Sequence, residues 1–181
     1  ASIFIIAAYF LIQLLGINPG VWVAVFAGAV GGTIVGLITE YYTGGAPVRK
    51  IAEGGETGPA TVMITGLSLG MQSVAIPVLT IVAIIFTANF YSGLYGVGIA
   101  AVGMLSTVGI TMAIDAYGPV SDNAGGIAEM AGMGEETREI TDSLDEVGNT
   151  TAAIGKGFAI SAAALAALAL ISAYIEKISA Q

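Results

Sequence analysis

Five apolar stretches alternate with shorter polar segments along this chain, and their lengths predict membrane helices. They cover about residues 2–17, 21–42, 61–86, 97–121 and 148–174. A helix needs about 20 apolar residues to cross a bilayer, so the first stretch predicts a partial span and the others full spans. The pattern therefore predicts an all-α fold, a polytopic transmembrane helix bundle with about four full spans plus one partial N-terminal span.

Two longer polar segments, 44–58 and 125–147, separate these spans and are predicted to be loops, the second with a helix over 135–144. Counting the crossings puts both loops on the same side of the membrane. That side carries Arg49, Lys50 and Arg138, whereas the opposite side has only Lys177 near a helix end. Because basic loops stay on the cytoplasmic side, both loops are predicted to be cytoplasmic.

Composition supports a membrane protein and removes several kinds of chemistry. The 181 residues are 56% hydrophobic and 10% charged, with a mean hydropathy of +0.89. Soluble domains carry roughly a quarter charged residues. The chain has no cysteine and no histidine, which excludes disulfides, thiolate metal sites and histidine-based catalysis or ligation.

The acidic residues are concentrated in one part of the chain. The net charge is −8, and nine of the thirteen acids lie between Asp115 and Glu146. Such a segment repels nucleic acid, so no nucleic-acid partner is expected. It suits hard cations such as Mg²⁺, which prefer oxygen ligands.

Asp115 and Asp122 are the first candidates for function because they end an apolar stretch. They are seven residues apart, so on a continuous helix both point the same way. Two such carboxylates can hold Mg²⁺ or Ca²⁺, or they can exchange a proton. The alternative is that Asp122 is a solvated helix end and that Asp115 pairs with a neighbouring base.

Asn149 and Lys156 show the same spacing at the beginning of the last apolar stretch. Asn149 is predicted to lie at or near the helix start, where its side chain would cap free N–H groups. Lys156 would lie about two turns into the membrane and would need a carboxylate or a water-filled cavity. Asp115 is expected at a matching depth, so we predict an Asp115–Lys156 pair, either for transport or only to join two helices.

Glu40 is the other acid within a predicted span, just inside the cytoplasmic end of residues 21–42. Its side chain could reach the interface and be solvated there, or it could serve function. The sequence leaves both interpretations open.

Several motifs along the chain resemble the membrane-integral, ion-pumping inorganic pyrophosphatases. The most specific are DAYGPVSDNAGGIAEMAG at 115–132 and GNTTAAIGKGFAI at 148–160, and shorter ones are TEYYT at 39–43, GMLST at 103–107 and Thr141-Asp142. The resemblance covers about residues 21–176. It implies that the chain, residues 1–181, is a single transmembrane segment from the middle of a larger subunit.

The resemblance also implies an activity, cofactors and partners. Family members hydrolyse pyrophosphate at a Mg²⁺-filled cytoplasmic site, pump H⁺ or Na⁺ and form homodimers in the lipid bilayer. By motif match, Asp122 and Asn149 would be catalytic residues that bind the metal–pyrophosphate cluster. Asp115 and Lys156 would lie deeper, in the ion path or coupling region. Other acidic clusters of the family are absent here, so the remaining helices of the subunit would be needed for activity.

Ala152 and Gly155 are implied determinants of K⁺ dependence. K⁺-independent members carry a lysine where this chain has Ala152, and this pair resembles the K⁺-dependent subclass. A fixed ammonium can replace a bound K⁺, whereas alanine leaves room for the ion.

Two rival functions belong to other classes of protein. A secondary transporter or channel could use Asp115, Asp122 and Lys156 as an ion relay without hydrolysis. A structural membrane subunit is the other, although a buried Lys156 would argue against it. A simple carrier needs its acids near the midplane, whereas Asp122 and Asn149 are expected at helix ends facing the cytoplasm.

Overall fold

The computed structural model describes residues 1–180, which contain helices and turns and no strand. The all-α prediction is therefore confirmed. One 3-10 turn, Leu105–Thr107, joins the fifth and sixth of the helices. The helices are α1 Ser2–Leu14, α2 Gly20–Gly44, α3 Ala46–Gly54, α4 Pro59–Ser73, α5 Ala75–Met104, α6 Val108–Asp115, α7 Tyr117–Met130 and α8 Glu135–Ser179.

Three helical stretches are long and apolar enough to cross a membrane, and α1 is a shorter apolar helix. They cover residues 20–54, 59–130 and 135–179. The middle stretch has 72 residues, far more than the about 20 that one crossing needs. It contains the third and fourth predicted spans.

The middle stretch reverses direction inside α5, at Ser92 and Gly93, whose backbone angles are not helical. Gly20 and Gly31 of α2 lie beside Tyr91 and Ile84, so the first half of α5 runs antiparallel to α2. Gly28 and Gly32 lie beside Ala100 and Met104, so the second half runs parallel to it. The chain thus turns back between the predicted spans 61–86 and 97–121.

Helix α2 forms the centre of the bundle because its glycines allow close approach. A Cβ at Gly28 would collide with the backbone of Ala100, and one at Gly32 would lie 3.3 Å from the Phe158 ring. Small residues at such contacts let helices pack in membranes. The buried core around this contact comprises Ala24, Ile84, Ala88, Val97, Ala100, Ala101, Met104, Phe158, Ala162 and Leu165.

The two segments predicted as loops are mainly helical: the predicted helix over 135–144 is confirmed within α8, whereas the helices elsewhere in the two segments were not predicted. Segment 44–58 contains α3, and segment 125–147 is divided between α7 and α8 with only residues 131–134 between them. Glu135 and Glu136 occupy the first turn of α8, where acids interact favourably with the helix dipole. Arg138 and Asp142 add an i,i+4 ion pair.

Both segments lie at the same end of the bundle, as the count of crossings predicts. A cavity at that end is lined by Arg49 of α3 and by Asp142 and Asp145 of α8. A Cβ at Gly44 would also lie 3.5 Å from the side chain of Thr150. The side of the membrane that this end faces stays a prediction.

Candidate functional site: the polar face of α7 and α8

Helices α7 and α8 pack closely through two glycines and a serine. A Cβ at Gly148 would lie 2.5 Å from Ser121 Oγ and 2.9 Å from Gly118 Cα, so only glycine fits there. The Ser121 hydroxyl is buried and donates a hydrogen bond to the Gly118 carbonyl at 2.8 Å. This contact places Asp122, next to Ser121, and Asn149, next to Gly148, on neighbouring helices.

The ion pair between Arg138 of α8 and Glu129 of α7 shows which residues of the two helices lie on the same side. Arg138 Nη1 lies 3.0 Å from Glu129 Oε2, across the turn between α7 and α8. Asp122 precedes Glu129 by seven residues, and Asp145 follows Arg138 by seven, which is about two helical turns in each case. Because the two helices are antiparallel, Asp122 and Asp145 come to the same level on the same side.

Asn149 lies well inside α8, fourteen residues after its first residue Glu135, and this corrects the predicted helix start at Gly148. It therefore caps no free N–H groups. Its amide Nδ2 instead donates to Asp145 Oδ2 at 3.2 Å, one turn earlier. Gly148 lies within α8 and does not interrupt it. Its missing side chain allows α7 to pack closely at this position.

Asn149 lines a cavity of about 690 Å³ between α8 and the α2–α3 junction. Asp122 does not line this cavity, nor the neighbouring one beside Glu40. The lining residues are Tyr42, Thr43, Gly44, Val48, Arg49, Asp142, Asp145, Glu146, Asn149, Thr150 and Ala153.

Asp115 lies against Gly155, and the predicted Asp115–Lys156 ion pair is not formed among residues 1–180. A Cβ at Gly155 would lie 3.3 Å from Asp115 Oδ1. Lys156 is the next residue of α8, turned about 100° away around the helix axis, and it is exposed. Asp115 thus lies level with the part of α8 that carries Lys156, as predicted, but Lys156 points in a different direction around the helix axis. Asp115 and Asp122 are also on separate helices, because α6 ends at Asp115 and α7 begins at Tyr117.

Ala152 is half-buried between the two glycine contacts of α8. It lies one turn after Gly148, which faces α7, and one turn before Gly155, which faces Asp115. A longer side chain at Ala152 would therefore reach toward the junction of α6 and α7.

Glu40 is exposed and lines a second cavity, of about 700 Å³, between α2 and α8. Glu146 of α8 lines the same cavity, together with Thr150 and Thr151. Two acids from neighbouring helices thus share one opening, and the solvated interpretation of Glu40 fits its exposure.

The polar residues of α8 form a continuous face that the sequence analysis treated only in part. Alternating steps of four and three residues keep positions on one side of a helix. The spacing and the predicted 135–144 helix place Arg138 and Asp142 on this face, whereas Asp145 lies just outside that predicted helix. We call this row the α8 polar face, and it comprises Arg138, Asp142, Asp145, Asn149, Ala152 and Lys156.

The polar groups of this region are of the chemical type that binds Mg²⁺. Carboxylate and amide oxygens of Asp122, Asp145 and Asn149 are ligands that Mg²⁺ accepts. Within residues 1–180, however, no three carboxylates come together closely enough to hold a metal ion. Mg²⁺ is usually held by one or two carboxylates together with waters and substrate phosphates, so these donors can contribute to a site without forming a complete cage.

The fold defines an integral membrane protein whose last helix, α8, carries Lys156 within its apolar part and Arg138, Asp142 and Asp145 before that part. Charges within such helices are typical of ion paths and substrate sites. The sequence profile of the inorganic H⁺ pyrophosphatase family matches residues 1–181, and the chain belongs to this family.

Named relatives agree with this membership. The chain is 54% identical over 193 residues to a Bacteroides thetaiotaomicron protein provisionally named a K(+)-stimulated pyrophosphate-energized sodium pump, covering 98% of the chain and 26% of that protein. A Thermotoga maritima protein named a K(+)-stimulated pyrophosphate-energized sodium pump is 49% identical over 156 residues, which are 85% of the chain and 22% of the relative.

A third relative carries a different functional name. The K(+)-insensitive pyrophosphate-energized proton pump of Methanosarcina mazei is 44% identical over 185 residues, covering 97% of the chain and 28% of the relative. The chain thus spans about a quarter of the length of these relatives.

Proposed function

We propose that the full-length protein is a primary ion pump that couples Mg²⁺-dependent hydrolysis of pyrophosphate to translocation of H⁺ or Na⁺. The observation that carries the proposal is the level arrangement of Asp122, Asp145 and Asn149 at one end of the bundle, within a chain that matches the pyrophosphatase family throughout. The relatives' names supply pyrophosphate as the substrate class.

The roles of the residues follow from their positions. Asp122 and Asn149 would donate oxygen ligands to the metal–pyrophosphate cluster, with further acids from the remaining helices of the subunit. Bound Mg²⁺ would neutralise the phosphate charge and lower the pKa of the attacking water. Asp115 and Lys156, farther along the same helical region, would belong to the ion path or coupling region.

We further propose that the pump is stimulated by K⁺, works as a homodimer and keeps its pyrophosphate site in the cytoplasm. The small residues Ala152 and Gly155 leave space where an ammonium could otherwise project, and the two relatives with the higher identities above are named K⁺-stimulated. Arg49, Lys50 and Arg138 at the site's end of the bundle favour a cytoplasmic location.

The rival is a secondary transporter or channel that would use the Asp115, Asp122 and Lys156 charges as a relay. The absence of an Asp115–Lys156 ion pair from residues 1–180 makes such a direct relay less favourable. The two proposals differ in a simple measurement, since only the pump releases phosphate.

Phosphate release from pyrophosphate by the purified full-length protein tests the proposal. We expect hydrolysis that requires Mg²⁺ and increases with K⁺ at constant ionic strength. Chelation of Mg²⁺ should stop it. A folded, detergent-solubilised protein that releases no phosphate at saturating Mg²⁺ and K⁺ would exclude the pump and favour the transporter.

A further inference from the structure

Arg138 makes the polar connection between α7 and α8 at the end of the bundle that carries Asp122 and Asn149. Its Nη1 lies 3.0 Å from Glu129 Oε2 on α7, and its Nη2 lies 3.1 Å from Asp142 Oδ1 on α8. Nη1 also donates to the Gly125 carbonyl at 3.4 Å. One guanidinium thus contacts a backbone group and a carboxylate of α7 and a carboxylate of its own helix.

Backbone hydrogen bonds close the turn onto α7, from Gly132 N–H to the Glu129 carbonyl and from Met133 N–H to the Ala128 carbonyl, both at 3.0 Å. These bonds involve only α7 and the turn, so they do not by themselves fix how α8 aligns with α7. Residues 131–134 contain two glycines, and Gly132 has a φ of 63°. The close contact of Gly148 with Gly118 and Ser121 lies at the far end of α7. Two polar side chains also connect the helices: the Tyr117 hydroxyl donates to the Leu144 carbonyl at 3.3 Å, and Arg138 holds α7 against α8 at the end nearest the turn.

This level determines how Asp122 and Asn149 face each other. Asp122 lies two turns from Glu129, and Asp145, which accepts the Asn149 hydrogen bond, lies two turns from Arg138. A shift of α7 along α8 at Arg138 would therefore move the Asp122 carboxylate relative to the Asn149 amide. Ligands of a metal tolerate little displacement, since Mg²⁺ demands near-ideal octahedral geometry.

We propose that Arg138 is a positioning residue that keeps α7 and α8 aligned so that Asp122 and Asn149 can bind the same metal–pyrophosphate cluster. The inference rests on the proposed function. Arginine suits the task because its guanidinium is planar, always charged and able to contact two acids at once. The hydrogen bond to Glu129, opposed by desolvation and assisted by the charge of Asp142, raises the pKa of Arg138 above its usual value.

The test uses the full-length protein and measures pyrophosphate hydrolysis against Mg²⁺ concentration. Arg138→Gln should raise the half-saturating Mg²⁺ concentration about tenfold, as loss of a group that orients a metal ligand does. The maximal rate at saturating Mg²⁺ should change less than the half-saturating concentration. Exchange of the charges in Glu129→Arg/Arg138→Glu, made together with Asp142→Asn so that the new carboxylate meets no like charge, should restore much of the Mg²⁺ affinity.

Lys50→Gln is the matched control, because Lys50 is an exposed cation on α3 at the same end of the bundle. It should leave the Mg²⁺ dependence unchanged. An Arg138→Gln protein with an unchanged half-saturating Mg²⁺ concentration would overturn the inference. A charge exchange that fails to lower the raised concentration, in a protein as thermally stable as Lys50→Gln, would overturn it as well.

Hydrogen exchange separates failure of this inference from failure of the proposed function. Amides of residues 125–138 should exchange faster in Arg138→Gln than in the wild type and in Lys50→Gln, because α7 loses its connection to α8. A wild type without hydrolysis would refute the proposed function. Unchanged exchange at 125–138 would refute the positioning role in either case.

Discussion

Gly155 has no side chain, and this leaves the space on α8 that the Asp115 carboxylate occupies. Asp115 lies against it because no Cβ occupies the space, and Lys156 consequently points elsewhere. The sequence allowed the depth of both charges to be predicted from their distance to the helix ends. It did not give the rotation of α8 relative to α6, which depends on the glycine contacts between the helices.

At Asp122 the prediction concerns a metal ligand. In the full-length protein, Asp122→Asn should lower Mg²⁺-dependent pyrophosphate hydrolysis by more than about 100-fold, because it removes a charge placed to stabilise the cluster. Phosphate release at saturating Mg²⁺ measures this loss. Glu56→Gln, an exposed acid in the turn after α3, serves as control and should keep wild-type turnover. Near-normal turnover of Asp122→Asn would refute the ligand role.

At Ala152 the prediction concerns a monovalent cation. Ala152→Lys, alone or with a change at Gly155 to make room, should keep activity and lose stimulation by K⁺, because the ammonium takes the place of the ion. Hydrolysis is measured against K⁺ concentration at fixed Mg²⁺ and fixed ionic strength, since salt screens charges over about 10 Å at 0.1 M. Ala152→Leu adds bulk without charge and should not become K⁺-independent.

Two results would count against this assignment in different ways. A wild type indifferent to K⁺ would remove the protein from the K⁺-dependent subclass. An active Ala152→Lys protein that still responds fully to K⁺ would refute the substitution argument and leave family membership intact.

Among the helices, α8 shows most clearly what hydropathy detects and what it misses. Its apolar part was predicted at residues 148–174, whereas the helix extends from Glu135 to Ser179. Hydropathy marks the length that lies in lipid, but the helix continues outward through favourable first-turn acids and the Arg138–Asp142 pair. The continuity of the α8 polar face could not be predicted because the predicted helix 135–144 and the predicted span 148–174 are separate, whereas the structure joins them in one helix.

The α7–α8 contact provides a stability prediction. Gly148→Ala should destabilise the protein by about 1–3 kcal/mol, since its Cβ would lie 2.5 Å from Ser121 Oγ and would force α7 away. Thermal unfolding of the full-length protein in detergent measures the effect. Gly70→Ala, on α4 with no atom within 4 Å of the new Cβ, is the matched control and should be neutral or stabilising. Equal melting temperatures for the two variants would contradict the close contact.

The reversal within α5 gives a second stability prediction. Gly93 has φ 61° and ψ −160°, a region that only glycine adopts readily, so Gly93→Ala should cost about 1–3 kcal/mol. Its neighbour provides the control, because Ser92 Oγ is buried without a hydrogen-bond partner in the described part of the chain. Ser92→Ala should therefore be neutral or stabilising. Melting temperatures in the opposite order would show that the turn is formed differently.

Across the whole molecule, the bundle has two kinds of exposed surface. Large apolar side chains such as Ile3, Met63 and Leu170 are 86%, 75% and 72% exposed, as expected for helices that face lipid or further helices. The α8 polar face is the exception, since charged groups along an apolar helix need protein or water around them. The chain spans about a quarter of its relatives, so we expect their additional helices to cover this face.

The apolar spans and their alternating directions could be predicted from apolar length and turn residues, because both depend on local sequence, whereas helix α3 and the breaks at Val74 and Ala116 could not. The candidate site residues Asp115, Asp122, Asn149 and Lys156 stay predictions, and the sequence presents them only as separate residues. Their mutual arrangement depends on the close glycine contacts between helices and on Arg138, which no single stretch of sequence displays.

Ion transport into proteoliposomes that contain the full-length protein tests the central claim most directly. Addition of pyrophosphate with Mg²⁺ and K⁺ should drive uptake of Na⁺ or H⁺ in step with phosphate release. Asp122→Asn should abolish both together. Ion flux that follows an imposed gradient and neither requires nor consumes pyrophosphate would contradict the account.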